Sequence, residues 1–301
     1  MPVRPLARVL VDESHRQAWS IRPEVAAAMS PANPADSSYA EAARTLEVAG
    51  FSVSAHVDGP ITPGLLADID VLVLPHCSDD EWESTVGTGS PRYDEAEIAA
   101  IEAFVTAGGG LVVLAETEQA KYGNNLAAIA ERFGIGIVNA TAQDPVRRFN
   151  DVSTWVVLEP SAAHGCDVFA EVDEAVFYRA GVLRVDGDPR ESFVFARTSE
   201  TASPAGAPLL VGVTCGQGRV IVAADSDFAG DDSLGDRGNR DLWRALVAWA
   251  RAGARGDTGI AAPSPVLSSP AWGRLVAAVE ALRPLQAADG SIAGDPAVAA
   301  E

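Results

Sequence analysis

The feature that most constrains this chain is the alternation, through its first half, of short apolar runs with helical periods. Runs rich in Val, Leu and Ile at residues 7–11, 51–57, 71–74 and 111–115 each end in polar residues. Parallel strands are buried on both faces, so they carry continuous apolar runs instead of a strict inside-outside alternation. Between these runs lie helical stretches. Residues 38–49 follow Pro34-Ala35-Asp36-Ser37, a capping composition, and stop at Gly50, the residue type best suited to the left-handed backbone of a helix end. Residues 94–107 open with acids that suit a helix N-terminal dipole, set Ile98, Ile101 and Val105 on one stripe, and finish at Gly108-Gly109-Gly110. A third helix is expected over 124–133, leading into 134–138. Strands and helices alternating at this spacing demand right-handed crossovers, so the expected class is α/β, a doubly wound and mostly parallel sheet with helices on both sides.

From residue 154 to 213 the pattern changes. Short runs at 155–158, 175–178, 182–185, 192–196 and 209–213 are separated by turns, and read as antiparallel strands added to a sheet edge. Residues 218–227 return to a buried strand, and a helix over 240–250 with Leu242, Leu246 and Trp249 on one side closes the domain. The domain is expected to span 1–252. A Gly- and Pro-bearing linker over 253–270 and a short helix with a flexible tail over 271–301 follow, the helix itself covering 272–285 and offering a face for the core or a partner.

Charge narrows the partners. Forty-two acids oppose 22 bases, a formal net charge of −20, which disfavours the phosphates of nucleic acid and anionic membranes alike. Three separated cysteines make neither a disulfide framework nor a C-x-x-C metal site, and no apolar run approaches the ~18 residues of a membrane span. A cytoplasmic protein without membrane insertion or cofactor is expected, with a protein or a small ligand as its partner.

In an open α/β sheet, ligands bind beyond the carboxyl ends of the strands. Those ends carry Asp12 and His15 after the first run, His76 and Cys77 after the third, Glu116 after the fourth, and Asp225 and Asp227 after the late strand. A Cys77 nucleophile would need His76 or His15 to ionise it, yet His76 and Cys77 are neighbours, which point oppositely in extended chain. A divalent ion would take Asp12, His15, Asp79, Asp225 or Asp227, but no ligand-spacing motif supports it. The favoured account is that Asp12 and Asp225 accept backbone N–H groups in the turns that end buried strands. Trp19, Trp82 and Tyr122 are either sugar-stacking platforms or core. The triple glycine precedes a strand instead of opening a helix, so it is no phosphate cradle.

The order of motifs resembles the class I glutamine amidotransferase-like superfamily. The likeness rests on residues 9–15 (Val-Leu-Val-Asp-Glu-Ser-His), 70–75 (Asp-Val-Leu-Val-Leu-Pro), 104–114 around the triple glycine, Tyr122-Gly-Asn-Asn-Leu126, and 218–228 followed by Asn239 and Trp249. Within it the chain is most similar to a non-enzymatic branch shared by gliding-motility ABC-transporter auxiliary components, intraflagellar-transport subunits and DUF4350 proteins. The resemblance implies a flavodoxin-like fold over residues 7–252 and a ligand-facing edge onto which Asp12, His15, Asn125, Asp225, Asp227 and Asn239 are carried. Amidotransferases hold a cysteine in a Gly-x-Cys-x-Gly turn after the fourth strand; here Ala115-Glu116-Thr117-Glu118-Gln119 stands in its place. The late His-x-Glu pair is replaced by Asp225-Ser226-Asp227. The resemblance therefore implies a domain that binds carbohydrate or assembles protein complexes without catalysis. The other reading open at this point is a metal-assisted hydrolase using the acids and His15, with His15, Glu116 and Cys77 as the weak catalytic candidates.

Overall fold

A computed structural model describes residues 5–82, 89–161, 168–186 and 192–253. The linker beyond Gly253 and the 272–285 helix fall outside the described residues.

Twelve strands and six α-helices are formed among the described residues. The strands are β1 Arg8–Asp12, β2 Ser52–His56, β3 Val71–Leu74, β4 Gly110–Leu114, β5 Ile135–Val138, β6 Trp155–Val157, β7 Glu159–Pro160, β8 Val176–Tyr178, β9 Val182–Val185, β10 Ser192–Arg197, β11 Pro208–Cys215 and β12 Gly218–Ala223. The helices are α1 Pro23–Met29, α2 Ala40–Val48, α3 Pro63–Leu66, α4 Glu95–Thr106, α5 Leu126–Glu131 and α6 Asn239–Arg251. One eight-stranded sheet runs in the order β2-β1-β3-β4-β12-β11-β10-β7. Its first five strands are parallel and the remaining pairs are antiparallel.

The centre of the sheet explains the apolar runs. Every residue of β3 and β4 is buried, and helices cover both faces, so neither face tolerates a polar side chain. Helix α4 starts at a capping box: the Asp94 side chain accepts from the Glu97 N–H while Glu97 returns a bond to the Asp94 N–H. Its Ile98, Ile101, Phe104 and Val105 are buried.

The triple glycine is a packing device. Gly108 has φ +108°, which ends α4 without Cβ strain, and a Cβ on Gly110 would stand 2.7 Å from the Ala250 carbonyl oxygen. Gly218 is as constrained, since a Cβ there would lie 2.1 Å from the Val105 carbonyl oxygen.

The expectation for residues 154–213 needs correction. Of those runs, β10 and β11 join the main sheet, with β7 beyond them. The others form two separate ribbons, β6 with β8 and β5 with β9, both antiparallel. The sequence 134–138 supplies the partner of β9, so the pairing joins residues about 50 apart in the chain, and no local pattern reports it.

Candidate functional site

The ends of β1, β3, β4 and β12 stand side by side because the strands are parallel and in register: Val11 opposite Val73, Leu74 opposite Val113, Leu114 opposite Ala223. The turns that follow bring the predicted residues to one edge, where they divide into two networks.

The first sits between β1 and β3, where the strand order reverses and an open sheet of this kind offers its crevice. The crevice is filled by the chain's own side chains. Asp12, ending β1, is fully buried, as are His15, Gln17, Cys77, Tyr93 and Glu97. His15 Nδ1 lies 2.9 Å from Asp12 Oδ2 and Nε2 lies 3.0 Å from Glu97 Oε1. Its ring stacks on Tyr93 with centroids 4.0 Å apart. Tyr93 Oη donates to Asp12 Oδ2 at 2.8 Å, and Ser14 donates to Asp12 Oδ1 through both its N–H and its hydroxyl. Burial alone would push the imidazole down, but the hydrogen bonds and charges of Asp12 and Glu97 outweigh it and hold His15 above its ordinary value. Burial likewise opposes ionisation of Asp12, and the His15 contact overcomes it, so Asp12 titrates below the usual range.

The second network lies beyond β4 and β12. One oxygen each from Glu116, Asp225 and Asp227 falls within 4.8 Å of the others, close enough for the three to hold a metal ion. Glu116 accepts from the Thr117 N–H at 2.8 Å and from Ser226 Oγ at 2.9 Å. Asp225 accepts three backbone N–H groups, from Tyr178, Asp227 and Phe228. Burial and the charge of Asp227 push Glu116 well above its ordinary value, and burial with the charges of Asp227 and Glu116 does the same to Asp225. Arg179, at φ +53°, places Nη2 3.6 Å from Asp227 Oδ2 and supplies a compensating positive charge.

The remaining predicted residues serve the scaffold. Asn125 clamps the Tyr93 backbone, its Oδ1 accepting from the N–H and its Nδ2 donating to the carbonyl, each at 2.8 Å. Asn239, fully buried, accepts from the Val176 N–H and donates to the Ser233 carbonyl. His76 is buried with neither ring nitrogen paired among the described residues, and burial with the Lys121 charge pushes its pKa down to about 3. Cys77 has no exposure; its Sγ sits 3.5 Å from Tyr93 Oη, and burial pushes the thiol far up. The imidazole of His15 is engaged by two carboxylates and not by this sulfur. Trp19 is buried, stacked on Tyr39 and bonded to Ser226, and Tyr122 is buried as well, so of the three aromatic platforms only Trp82 is half exposed.

Gln17, Tyr93, Glu97, Arg179 and Ser226 were missed by sequence reasoning. Glu97 carried a signal, since Asp94-x-x-Glu97 reads as a capping box; nothing local marks the same carboxylate as the partner of an imidazole 82 positions earlier.

Fold and edge together define a doubly wound α/β domain with a flavodoxin-like parallel core whose switch-point crevice is plugged by buried polar side chains. The chain belongs to the DUF4350 family, "Domain of unknown function (DUF4350)", whose model matches residues 85–247, more than half its length. Among solved structures it is similar to the mmIFT52 N-terminal domain, at TM-score 0.62 and 14% identity, over 84% of this chain and 100% of that one. It is also similar to the cytoplasmic proteins STM3548 and STM1381 of Salmonella typhimurium, the second from strain LT2. Both align at TM-score 0.52, with 14% and 15% identity, over 81% of this chain and 99% and 98% of theirs. No curated protein matches it significantly. Among the described residues no helix is long and apolar enough to cross a membrane.

Proposed function

We propose that this chain is a non-catalytic binding or assembly domain, working in the cytoplasm, that engages a protein partner at the C-terminal edge of its sheet. The reading rests on the condition of the groups a hydrolase would need. Glu116 occupies the turn after β4 where the amidotransferases, to which we infer kinship from motif order, place their cysteine. Cys77, the thiol at this edge, is sealed from solvent and held protonated. Asp12, His15, Glu116 and Asp225 direct their bonds at neighbouring backbone and side chains of the fold itself. Such bonding makes a stiff platform and leaves no nucleophile aimed at solvent. The metal-assisted hydrolase is disfavoured because its four groups belong to two networks, and both nitrogens of His15 are taken.

The exposed rim for a partner is the turn after β3. Trp82 is 50% exposed, Lys121 stands 5.6 Å over its ring, and Asp80 pairs with Arg16 at 2.9 Å. In this reading residues 1–252 form the binding domain, 253–270 a linker, and the 272–285 helix a second contact for the same partner. Carbohydrate stacked on Trp82 is the other ligand class that this rim suits.

The test is crosslinked co-purification from native cells of the full chain, of residues 1–252, and of an Asp80→Lys/Trp82→Ala variant. One stoichiometric partner, captured by the full chain and reduced at least about tenfold by the rim variant, is the expected outcome. A lone monomer in all three forms, or turnover of an ester or amide that Glu116→Gln abolishes, would overturn the proposal.

A further inference from the structure

The imidazole of His15 bonds at both ring nitrogens to carboxylates on different elements: Asp12 at the end of β1 and Glu97 in the first turn of α4. A neutral imidazole has one N–H, so it can donate to only one of them; both contacts are donor bonds only when the ring carries two protons. We propose that the second proton on His15 is a latch, pinning residues 89–94, which lead into α4, over the end of β1 and releasing them when the proton leaves.

The packing shows what the latch holds. Tyr93 stacks on the ring and donates to Asp12, and a Cβ on Gly89 would stand 2.4 Å from the Ser14 carbonyl oxygen, so the segment entering α4 lies directly on the 12–17 turn. Glu97 also accepts from the Ile61 N–H at 2.8 Å and from the Asp94 N–H at 2.8 Å, so the carboxylate facing the ring anchors the helix start as well. The charged and titratable groups around the ring are Asp12 from β1, Glu97 from α4, Tyr93 from the turn before α4, and Cys77 from the turn after β3, the last reached through Tyr93. The two carboxylates hold the proton on the ring against the burial that opposes it. A folded value above the unfolded one means the latch contributes fully below about pH 6.5 and is lost as pH rises through the folded pKa.

Two measurements on the full chain test this. Nitrogen NMR of labelled histidine, assigned by difference against His15→Gln, is expected to find both His15 nitrogens protonated at pH 6.5 with a midpoint above that value, and Glu97→Gln is expected to lower the midpoint. Hydrogen exchange of residues 89–98, corrected for intrinsic rates, is expected to lose protection about tenfold or more between pH 6 and pH 9 in the native chain, and not in His15→Gln. A neutral His15 at pH 6.5, or protection that does not change with pH in the native chain, overturns the latch; the NMR reading stands even where the variants fail to fold.

Discussion

Glu116→Gln should make this protein more stable, although it alters a buried, fully bonded side chain. Glu116 is 4% exposed and Asp225 is not exposed at all, and their oxygens and one from Asp227 lie within 4.8 Å of one another. At an effective dielectric of about 20, two like charges that close repel by about 3 kcal/mol. Arg179 offsets part of this, leaving about 1–3 kcal/mol to be recovered by neutralising one member. Glutamine keeps one bond and reverses the other: its Oε1 accepts from the Thr117 N–H, and its Nε2 donates to Ser226 Oγ, which also accepts from Trp19 Nε1. The pH dependence follows from the raised pKa. A carboxyl whose folded value exceeds its ordinary 4.5 contributes fully below that pH and loses its contribution as pH climbs through the folded pKa. The variant, carrying no titrating group, escapes that loss. Thermal unfolding should therefore coincide for the two proteins at pH 4, while at pH 8 the variant's Tm should be higher by about 2–4 °C per kcal/mol recovered. A lower Tm at pH 8, or the same shift at pH 4 and pH 8, refutes the charge-crowding argument.

Other substitutions probe the scaffold. Asp94→Ala removes the acceptor for the Glu97 N–H and should cost about 1 kcal/mol in urea unfolding. Gly218→Ala drives a Cβ to 2.1 Å from the Val105 carbonyl oxygen and should cost about 2 kcal/mol or more, whereas Gly235→Ala, with nothing within 4 Å, should stay within about 0.5 kcal/mol of the native chain. Phe228→Ala empties a fully buried position against Phe177 and should cost about 3–5 kcal/mol by the same assay. Pulse labelling with a maleimide should modify Cys77 only after denaturation, as peptide mapping would show.

The parallel half of the fold was legible because its signals are local. Buried strands such as Val71–Leu74 are apolar on both faces, and α4 carries its own start and stop in Asp94 and Gly108. Helix α1 escaped notice because Arg22 provides no side-chain cap and seven residues hold barely two turns. The β5–β9 and β6–β8 ribbons were misplaced because antiparallel partners are chosen by tertiary packing, and alternation in residues 155–158 or 182–185 does not say which strand answers it. At the edge, the sequence identified the residues that end strands, since polar side chains stop apolar runs. It did not separate Asp12 and His15 from Glu116 and Asp225, because that division depends on Tyr93 and Glu97, which reach the edge from the turn before α4 and its first turn, and on Ser226 bridging across to Glu116. The favoured account of Asp225 as an acceptor in a strand-ending turn matches two of its three backbone bonds, from Asp227 and Phe228, the third coming from Tyr178 in β8; Asp12 instead relies largely on side-chain donors.

We propose that no described residue at this edge acts as a nucleophile, and one measurement reaches that point directly: incubation of the native protein with glutamine and, in parallel, with a glutamine-like electrophile, reading ammonia release and covalent adducts by peptide mapping. Ammonia at the buffer level and an unmodified Cys77 are the predicted results. A stoichiometric adduct on Cys77, or ammonia release that Cys77→Ala removes, would contradict it.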